Sequence, residues 1–187
     1  MRIGWGPFCV GWADCAYGLR CERIIIGKLC DKSAKVVVTD GNDISTKSMF
    51  NPGERKYIVE LCKNVKRNFG ESGVEVKMLI WDKEFKAAEK FDYILIADCL
   101  YYVIYHDALI HTITELMHPK STCIIIAPKR GVTMDQFMEK IALCKAFKCS
   151  VTEHITEEVD AQIAAMATNK LYRSIEHKPY MITLTLM

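Results

Sequence analysis

The most regular apolar run in the chain extends from Tyr93 to Ala97 and has the length of a strand. Apolar residues at successive positions indicate a strand that is covered on both faces, as in the middle of a parallel sheet. Asp98 follows at once, and such a strand has no room for a charge. The pattern therefore predicts a central strand over residues 91–97, with Asp98 at its carboxyl end.

Other runs of β-branched and apolar residues predict further strands before and after this one. The clearest is Val36-Val37-Val38-Thr39, which stops abruptly at Asp40-Gly41-Asn42. No ordinary crossover is evident between the last two predicted strands, so we expect an antiparallel pair there. The further strands cover residues 35–39, 74–80, 122–127, 148–155 and 180–186.

Helices are predicted where apolar residues recur every three or four positions. One is expected to end at Gly70, another at His118-Pro119, and a third to be capped by Thr133. Residues 1–18 mix glycines with aromatic residues without a sustained period, which predicts a loop. The predicted helices cover residues 19–30, 54–69, 109–117, 133–144 and 158–171.

Strands that alternate with helices at this spacing predict an α/β fold, with a βαβ series around a twisted and mostly parallel sheet. The chain has 187 residues, half of them hydrophobic, so we expect one domain over residues 1–187. No apolar run approaches the roughly 18 residues of a membrane span, and the first residues lack a signal-peptide pattern. We expect a cytoplasmic protein without a membrane partner, and leave the nucleus open as a second compartment.

The nine cysteines are irregularly spaced, and several lie in or beside apolar strands, as Cys99 and Cys123 do. In a reducing compartment such residues pack as small hydrophobic groups rather than forming disulfides. The early cysteines contain no Cys-x-x-Cys pair and no histidine lies among them, so no metal site is predicted. They are Cys9, Cys15, Cys21 and Cys30.

Three aspartates, Asp40, Asp82 and Asp98, each end or closely follow a predicted strand. Parallel strands place their carboxyl ends at one edge of the sheet, where ligands of open α/β folds bind. Three carboxylates there need a ligand that brings positive charge and hydrogen-bond donors. S-adenosylmethionine has both, in its sulfonium and ammonium groups and in its ribose and adenine.

For two of these positions a plainer explanation is about as good. Asp40 can accept hydrogen bonds from both ribose hydroxyls, with Gly41 allowing close approach of the backbone, or it can merely cap a turn. Trp81 can cover an adenine whose amine donates to Asp82, or it can be a partly buried tryptophan beside a solvated carboxylate. The residue types alone leave these alternatives open.

Taken in order, three blocks resemble the class I methyltransferases that modify lysines in proteins. They are Thr39-Asp40-Gly41-Asn42, Leu79-Ile80-Trp81-Asp82 and residues 91–101, in which Asp98-Cys99-Leu100-Tyr101 is similar to that family's Asp-x-x-Tyr or Asp-x-x-Phe signature. A fourth block, Ala127-Pro128-Lys129-Arg130-Gly131, resembles the calmodulin-lysine N-methyltransferases in particular. The likeness extends from about residue 35 to the end.

The resemblance implies a seven-stranded Rossmann-like sheet whose last strand is antiparallel. It also implies methyl transfer from S-adenosylmethionine to a lysine ε-amine, with calmodulin as the expected protein substrate. The cofactor-binding residues it implies are Gly4 and Gly6 in a glycine loop, Asp40, Gly41 and Asn42 at the ribose, Trp81 and Asp82 at the adenine, and Ala97 at the methionine side. Asp98 and Tyr101 would be the catalytic residues of the lysine channel.

In such a transfer positive charge leaves sulfur and appears on nitrogen, so a carboxylate near the nitrogen stabilises the transition state more than the ground state. We expect Asp98 to supply this stabilisation and to orient the amine, and Tyr101 to offer its ring to it. Lys129 and Arg130 are expected to bind the substrate by steering an acidic partner. An exposed loop with ordinary charges is at least as good an explanation for this pair.

Residues 1–34 depart from the family pattern. Only Met1-Arg2-Ile3 is available as a first strand, which is therefore predicted to be incomplete, and Gly4-Trp5-Gly6 stands for the glycine loop. This leaves a second hypothesis, an inactive or truncated methyltransferase-like domain that binds a protein partner. Nucleic-acid methylation is a weaker third, because the net charge is only +2 and no basic stripe is interleaved with aromatic residues.

Overall fold

The fold was obtained as a computed structural model, which describes residues 8–12, 35–40, 62–63, 65–67, 70 and 74–187. Within these residues seven strands form one sheet, in the spatial order β3-β2-β1-β4-β5-β7-β6. The strands are β1 (Phe8–Trp12), β2 (Val36–Asp40), β3 (Val74–Met78), β4 (Phe91–Ala97), β5 (Met117–Pro128), β6 (Phe147–Thr152) and β7 (Pro179–Leu186).

The helices with described bounds are α1 (His106–Leu116), α2 (Thr133–Cys144), α3 (Glu157–Met166) and α4 (Ser174–His177). A 3₁₀ turn at Val103–Tyr105 leads into α1. Helical residues at 62–63 and 65–67 lie between β2 and β3, and Gly70 follows them with a φ of +64°. Its amide donates to the carbonyl of Lys66 at 3.0 Å, so the helix end predicted at Gly70 is confirmed.

Strand direction agrees with the prediction from sequence. β1, β2, β3, β4 and β5 pair in parallel, whereas β7 is antiparallel to both β5 and β6. The antiparallel arrangement of the last two strands is thus confirmed. The last strand enters the sheet between two earlier ones, which gives the mostly parallel α/β sheet with one reversed strand.

The main core lies around β4, as its continuous apolar run predicted. Phe91, Ile94 and Ile96 of this strand are at most 5% exposed. They belong to one cluster with buried side chains from α1, α2, β5 and β7, among them Leu109, Ile113, Phe137, Ile141, Cys123, Ile125, Ile182 and Leu184. This packing fixes the strand whose end carries the candidate site.

The first strand is where the prediction was wrong. A loop was expected over residues 1–18, with Met1–Ile3 as an incomplete strand, but β1 is formed by Phe8–Trp12. It pairs with β2 on one side and β4 on the other, so both sets of backbone groups have partners. Tertiary pairing of this kind overrides a weak local pattern, here Phe-Cys-Val-Gly-Trp, which contains a glycine.

Two smaller boundaries also differ. α1 ends at Leu116, and β5 starts at Met117 instead of Thr122 and runs through Pro119. The pairing register with β4 shifts just there, which accommodates a proline that has no N–H to donate. α2 begins at Thr133, but this residue is not its cap: its hydroxyl donates to the carbonyl of Arg130 at 3.2 Å.

Candidate active site at the carboxyl edge of the sheet

Asp40 and Asp98 are brought to the same edge of the sheet. Thr39 and Ile96 both pair with Gly11, so Asp40 is level with Ala97 and Asp98 lies one residue further along the same edge. Because β1 lies between β2 and β4, the two backbones are about 10 Å apart, twice the usual strand spacing. The side chain of Asp40 lies outside the described part of the chain.

Asp98 turns the chain away from the sheet. Its φ is +49°, in the left-handed region that aspartate tolerates better than most residues. Its amide donates to the carbonyl of Ile126 on β5 at 2.8 Å, which holds this turn against the neighbouring strand. The side chain is only 15% exposed, so the carboxylate lies in a partly desolvated position at the lip of β4.

Arg130 provides a cation for this carboxylate. One of its terminal nitrogens, Nη2, donates to Asp98 Oδ2 at 2.8 Å. Its guanidinium carbon also lies 5.8 Å from the centroid of the Tyr101 ring, within range of a cation–π contact. One arginine therefore contacts both of the residues predicted to be catalytic.

The loop that carries Arg130 has an unusual backbone. Arg130 has a φ of +30° and Gly131 one of +66°, so the chain reverses between β5 and α2. The amide of Arg130 donates to the carbonyl of Ile175 in α4 at 3.1 Å. Lys129 lies in the same loop but forms an ion pair with Asp135 at 3.1 Å. Both basic residues predicted to steer an acidic partner thus have carboxylate partners within the chain.

Tyr101 is half-buried and packs against the main core. Its ring centroid lies 4.0 Å from that of Tyr102, and Tyr102 in turn meets Tyr105 edge-on at 6.3 Å. Tyr102 is 40% exposed, so this aromatic row leads from the core to the surface beside Asp98. An aromatic wall next to a carboxylate is the arrangement expected for a channel that binds an amine.

His106 supports this wall and was not identified from the sequence. It is fully buried at the start of α1, and its Nε2 lies 2.9 Å from the carbonyl of Leu100. Its ring meets Phe137 edge-on at 5.3 Å, and Nδ1 has no hydrogen-bond partner among the described residues. Burial lowers the pKa of His106. A neutral ring that donates from Nε2 therefore holds the turn between Asp98 and Tyr101.

Trp81 and Asp82 follow β3, and their surroundings differ. Trp81 is only 7% exposed and belongs to the main core. Asp82 is exposed, and its Oδ1 accepts from the amide of Glu84 at 2.8 Å while its own amide donates to Thr112 Oγ1 at 3.3 Å. The carboxylate closes a turn and keeps capacity for further hydrogen bonds.

An open cavity of about 340 Å³ lies beside this turn. Its wall is largely apolar and carries two carboxylates, with contributions from Met78, Leu79, Ile80, Asp82, Glu84 and Phe85. Such a volume lies within the range of small-ligand sites. A flat heteroaromatic base with an exocyclic amine matches this combination of apolar wall and acceptors.

The structure describes only some of the remaining predicted cofactor residues. Ala97 ends β4 and is half-buried between its partners on β1 and β5. Gly4, Gly6, Gly41 and Asn42 lie outside the described residues. Gly4 and Gly6 precede β1, so they do not belong to the loop that follows this strand. Their assignment to the glycine loop assumed a first strand at Met1–Ile3, and that assumption was wrong.

Two further properties concern the described residues as a set. They contain no group of three or more histidine, cysteine, aspartate or glutamate side chains arranged to hold a metal ion. Among the helices with described residues, none has the length and apolar character needed to cross a membrane.

Comparison with known proteins adds independent information. A family model described as lysine methyltransferase matches residues 23–143, more than half of the chain. The chain is 27% identical over 136 residues to a protein named calmodulin-lysine N-methyltransferase from Arabidopsis thaliana. The match covers 71% of this chain and 40% of that protein, so the chain spans well under half of this relative's length.

Solved structures with the same fold are more distant in sequence. A DhpI complex with SAH is 11% identical, with a TM-score of 0.55, and the match covers 97% of this chain and 77% of that one. An rRNA methylase from Streptococcus thermophilus is also 11% identical, with a TM-score of 0.56 and coverage of 96% and 86%. At such low identity the likeness establishes the fold, which is that of Rossmann-like methyltransferases.

Proposed function

The chain belongs to the lysine methyltransferase family, and from this premise we propose that it transfers a methyl group from S-adenosylmethionine to the ε-amine of a lysine in a protein. The observation that supports this most is the lip of β4, where a partly buried carboxylate, Asp98, lies beside the ring of Tyr101. A carboxylate and an aromatic ring together suit an amine that becomes cationic.

The described residues fit the proposed cofactor where they can be compared with it. S-adenosylmethionine, when bound, supplies the electrophilic methyl group on a sulfonium. Asp82 lies in the apolar cavity after β3, where its carboxylate can accept from an adenine amine. Ala97 is small enough at the end of β4 to leave room for the methionine part, and Asp40 ends β2, where the acidic residue that binds a ribose is expected.

Asp98 has an electrostatic role in this proposal. Positive charge develops on the attacking nitrogen during an in-line displacement, so a fixed carboxylate nearby lowers the barrier. The amine must be neutral when it attacks the methyl group, although its unperturbed pKa is about 10.4. Because a carboxylate favours the ammonium form, Asp98 orients the nitrogen and stabilises its charge, while a water path removes the proton.

Tyr101 and His106 define the geometry of the channel. The Tyr101 ring forms its wall, and His106 fixes the turn that carries this ring through the carbonyl of Leu100, 2.9 Å from Nε2. A buried ring with a lowered pKa stays neutral near pH 7 and keeps donating from Nε2. The channel is therefore held by a bond that ordinary changes of pH do not break.

We further propose that the protein substrate is calmodulin. It is supported by the name of the Arabidopsis thaliana relative and by the likeness of the block from Ala127 to Gly131. An acidic partner would also suit the basic pair Lys129 and Arg130, once their internal carboxylates release them.

The proposal is tested first by isothermal titration of the folded chain with S-adenosylmethionine and S-adenosylhomocysteine. We expect saturable binding, followed by transfer of radiolabel from the cofactor to calmodulin and none to RNA. Label in another protein would keep the lysine reaction and remove calmodulin as substrate. If neither nucleoside binds, the chain is not a methyltransferase as it stands, and the alternative of an inactive protein-binding domain takes its place.

A further inference from the structure

Arg130 occupies the position that a substrate amine needs. Its guanidinium donates to Asp98 at 2.8 Å and lies over the Tyr101 ring at 5.8 Å. Any cation bound at the lip of β4 would compete for the same carboxylate and the same ring. Since two cations repel at such short range, the substrate and Arg130 cannot both be held there.

The contact is built so that it can be released. The Arg130 side chain is 37% exposed, so it can swing into water without crossing the core. Its backbone is anchored independently, through the bond from its amide to the carbonyl of Ile175 at 3.1 Å. The guanidinium can therefore leave Asp98 while the loop keeps its course between β5 and α2.

Asp98 is less free to move. Its side chain is 15% exposed, and its amide is bound to β5, so the carboxylate remains at the lip of β4 whichever cation it holds. Leaving a partly buried carboxylate without a cation is unfavourable. Exchange of one cation for another avoids that cost, which favours replacement of Arg130 by the lysine ammonium before its proton is lost.

We propose that Asp98 and Tyr101 form a cation subsite that Arg130 fills in the absence of substrate, and that Arg130 is a specificity-determining residue which an incoming lysine must displace. The assignment of this subsite to lysine depends on the proposed function, whereas occupancy by Arg130 does not. The apparent affinity for an amine is then reduced by the fraction of molecules in which the subsite is open. Neutral side chains of similar length have no means of replacing the arginine.

The experiment uses n-butylammonium as a probe of the lysine side chain, with n-butanol as the neutral match. Binding is followed by the NMR signals of the Tyr101 ring in tyrosine-labelled protein. Arg130→Gln is expected to bind n-butylammonium about tenfold or more tightly than the unchanged chain, since the competing guanidinium has been removed from the subsite. n-Butanol is expected to shift the Tyr101 ring signals of neither protein.

Arg173→Gln is the matched control, because it removes another arginine that pairs with a carboxylate, Glu176, at 3.1 Å. It is expected to leave n-butylammonium binding unchanged. The proposal is overturned if Arg130→Gln binds n-butylammonium no more tightly than the unchanged chain. It is also overturned if Arg173→Gln shows the same increase in affinity for n-butylammonium. Asp98→Asn combined with Arg130→Gln is expected to remove the gain, and a gain that survives it also overturns the proposal.

Should Arg130→Gln fail to fold, the unchanged chain still decides the matter. Saturating n-butylammonium should shift the Arg130 Nε–H signal toward that of a solvated arginine, and an unmoved signal contradicts the exchange. Because the probe needs neither cofactor nor methyl transfer, the two proposals fail separately. Tighter probe binding by Arg130→Gln without any methylation supports the exchange and refutes the proposed function. Methylation without tighter probe binding supports the proposed function and refutes the exchange.

Discussion

Asp98 combines a strained backbone conformation with the charge that the proposed chemistry needs. Its φ of +49° restricts which substitutions are informative, because alanine would add backbone strain to the loss of charge. Asparagine keeps the shape and tolerates the left-handed region. A change at this residue can therefore be read as an electrostatic effect.

We predict that Asp98→Asn lowers the rate of methyl transfer by about a hundredfold or more, the scale found when one stabilising group of a transition state is lost. Cofactor binding should change little, because the carboxylate serves the amine rather than the nucleoside. Rates come from single-turnover transfer of radiolabel, and Asp160→Asn in α3 serves as a control for carboxylate loss elsewhere. A rate above half that of the unchanged chain would contradict the assigned role.

Cysteine reactivity is a second prediction at this scale. Cys99 and Cys123 are at most 1% exposed, whereas Cys62 and Cys144 lie at the surface. Burial and then the neighbouring Asp98 charge raise the pKa of Cys99, which keeps it a thiol. We expect a maleimide to label Cys62 and Cys144 about a hundredfold faster than Cys99 in the folded chain, and all four alike in urea. Peptide mapping by mass spectrometry gives the rates, and rapid labelling of Cys99 would show that the turn after β4 opens.

At the scale of elements, the sequence predicts those whose pattern is sustained and misses those that depend on neighbours. β4 was predicted with its observed bounds of 91–97, because its unbroken apolar run from Tyr93 to Ala97 admits few other structures. β1 has only five residues, one of them glycine, and exists because two strands pair with it. Asp98 and Tyr101 were predicted as site residues because they come soon after β4 in the sequence.

The partners of those two residues were not predictable in the same way. The contact between Arg130 and Asp98 requires β5 to lie next to β4 and the chain to turn through positive φ after β5. The histidine below Tyr101 gave no periodic signal, since α1 was expected to begin at Leu109 and it begins at His106. Side-chain contacts across elements depend on packing, which a single sequence does not display.

His106 couples α1 to the preceding turn, and this coupling predicts a pH dependence of stability. Burial lowers its pKa most strongly, and the hydrogen bond to the Leu100 carbonyl opposes this by raising the pKa. Lys140 lowers the pKa and Asp107 raises it by smaller amounts. In the unfolded chain His106 takes up a proton near pH 6.5, whereas in the folded chain it does so only at a lower pH. The free energy of unfolding therefore falls as the pH drops from 6.5 toward the pKa of His106 in the folded chain.

The measurement compares urea midpoints at pH 7.5 and pH 5.5. His106→Gln keeps a donor for the carbonyl of Leu100 and removes the titration, so its midpoint should fall less over this interval than that of the unchanged chain. His154→Gln is the control, because His154 is 86% exposed. Equal falls in the unchanged chain and His106→Gln would mean that other groups cause the dependence.

At the scale of the whole molecule, β1 joins the two parts of the candidate site. β2 and β3 lie on one side of it and bring Asp40 and the cavity beside Asp82, while β4 and β5 on the other side bring Asp98, Tyr101 and Arg130. Register through β1 therefore sets the distance between the proposed nucleoside position and the lysine channel. Displacement of this strand would separate them even if each part stayed folded.

This dependence predicts the effect of a proline in β1. Val10 pairs with Val38 on β2 and with Leu95 on β4, so its N–H meets a neighbouring strand on whichever side it points. Proline has no N–H, and central strands do not tolerate it. We expect Val10→Pro to lower the free energy of unfolding by at least about 2 kcal/mol, in the upper range for single substitutions, and to abolish cofactor binding.

Val10→Ala separates the backbone from the side chain, because alanine keeps the N–H and φ freedom that proline removes. Urea unfolding and isothermal titration of both variants should show a clear gap in stability, with cofactor binding retained only in Val10→Ala. Equal stabilities within about 0.5 kcal/mol, the scatter of neutral surface substitutions, would mean that β1 makes no essential backbone bonds. The two halves of the site would then have to be aligned by the packing of helices against the sheet, and the central position of β1 would lose its functional meaning.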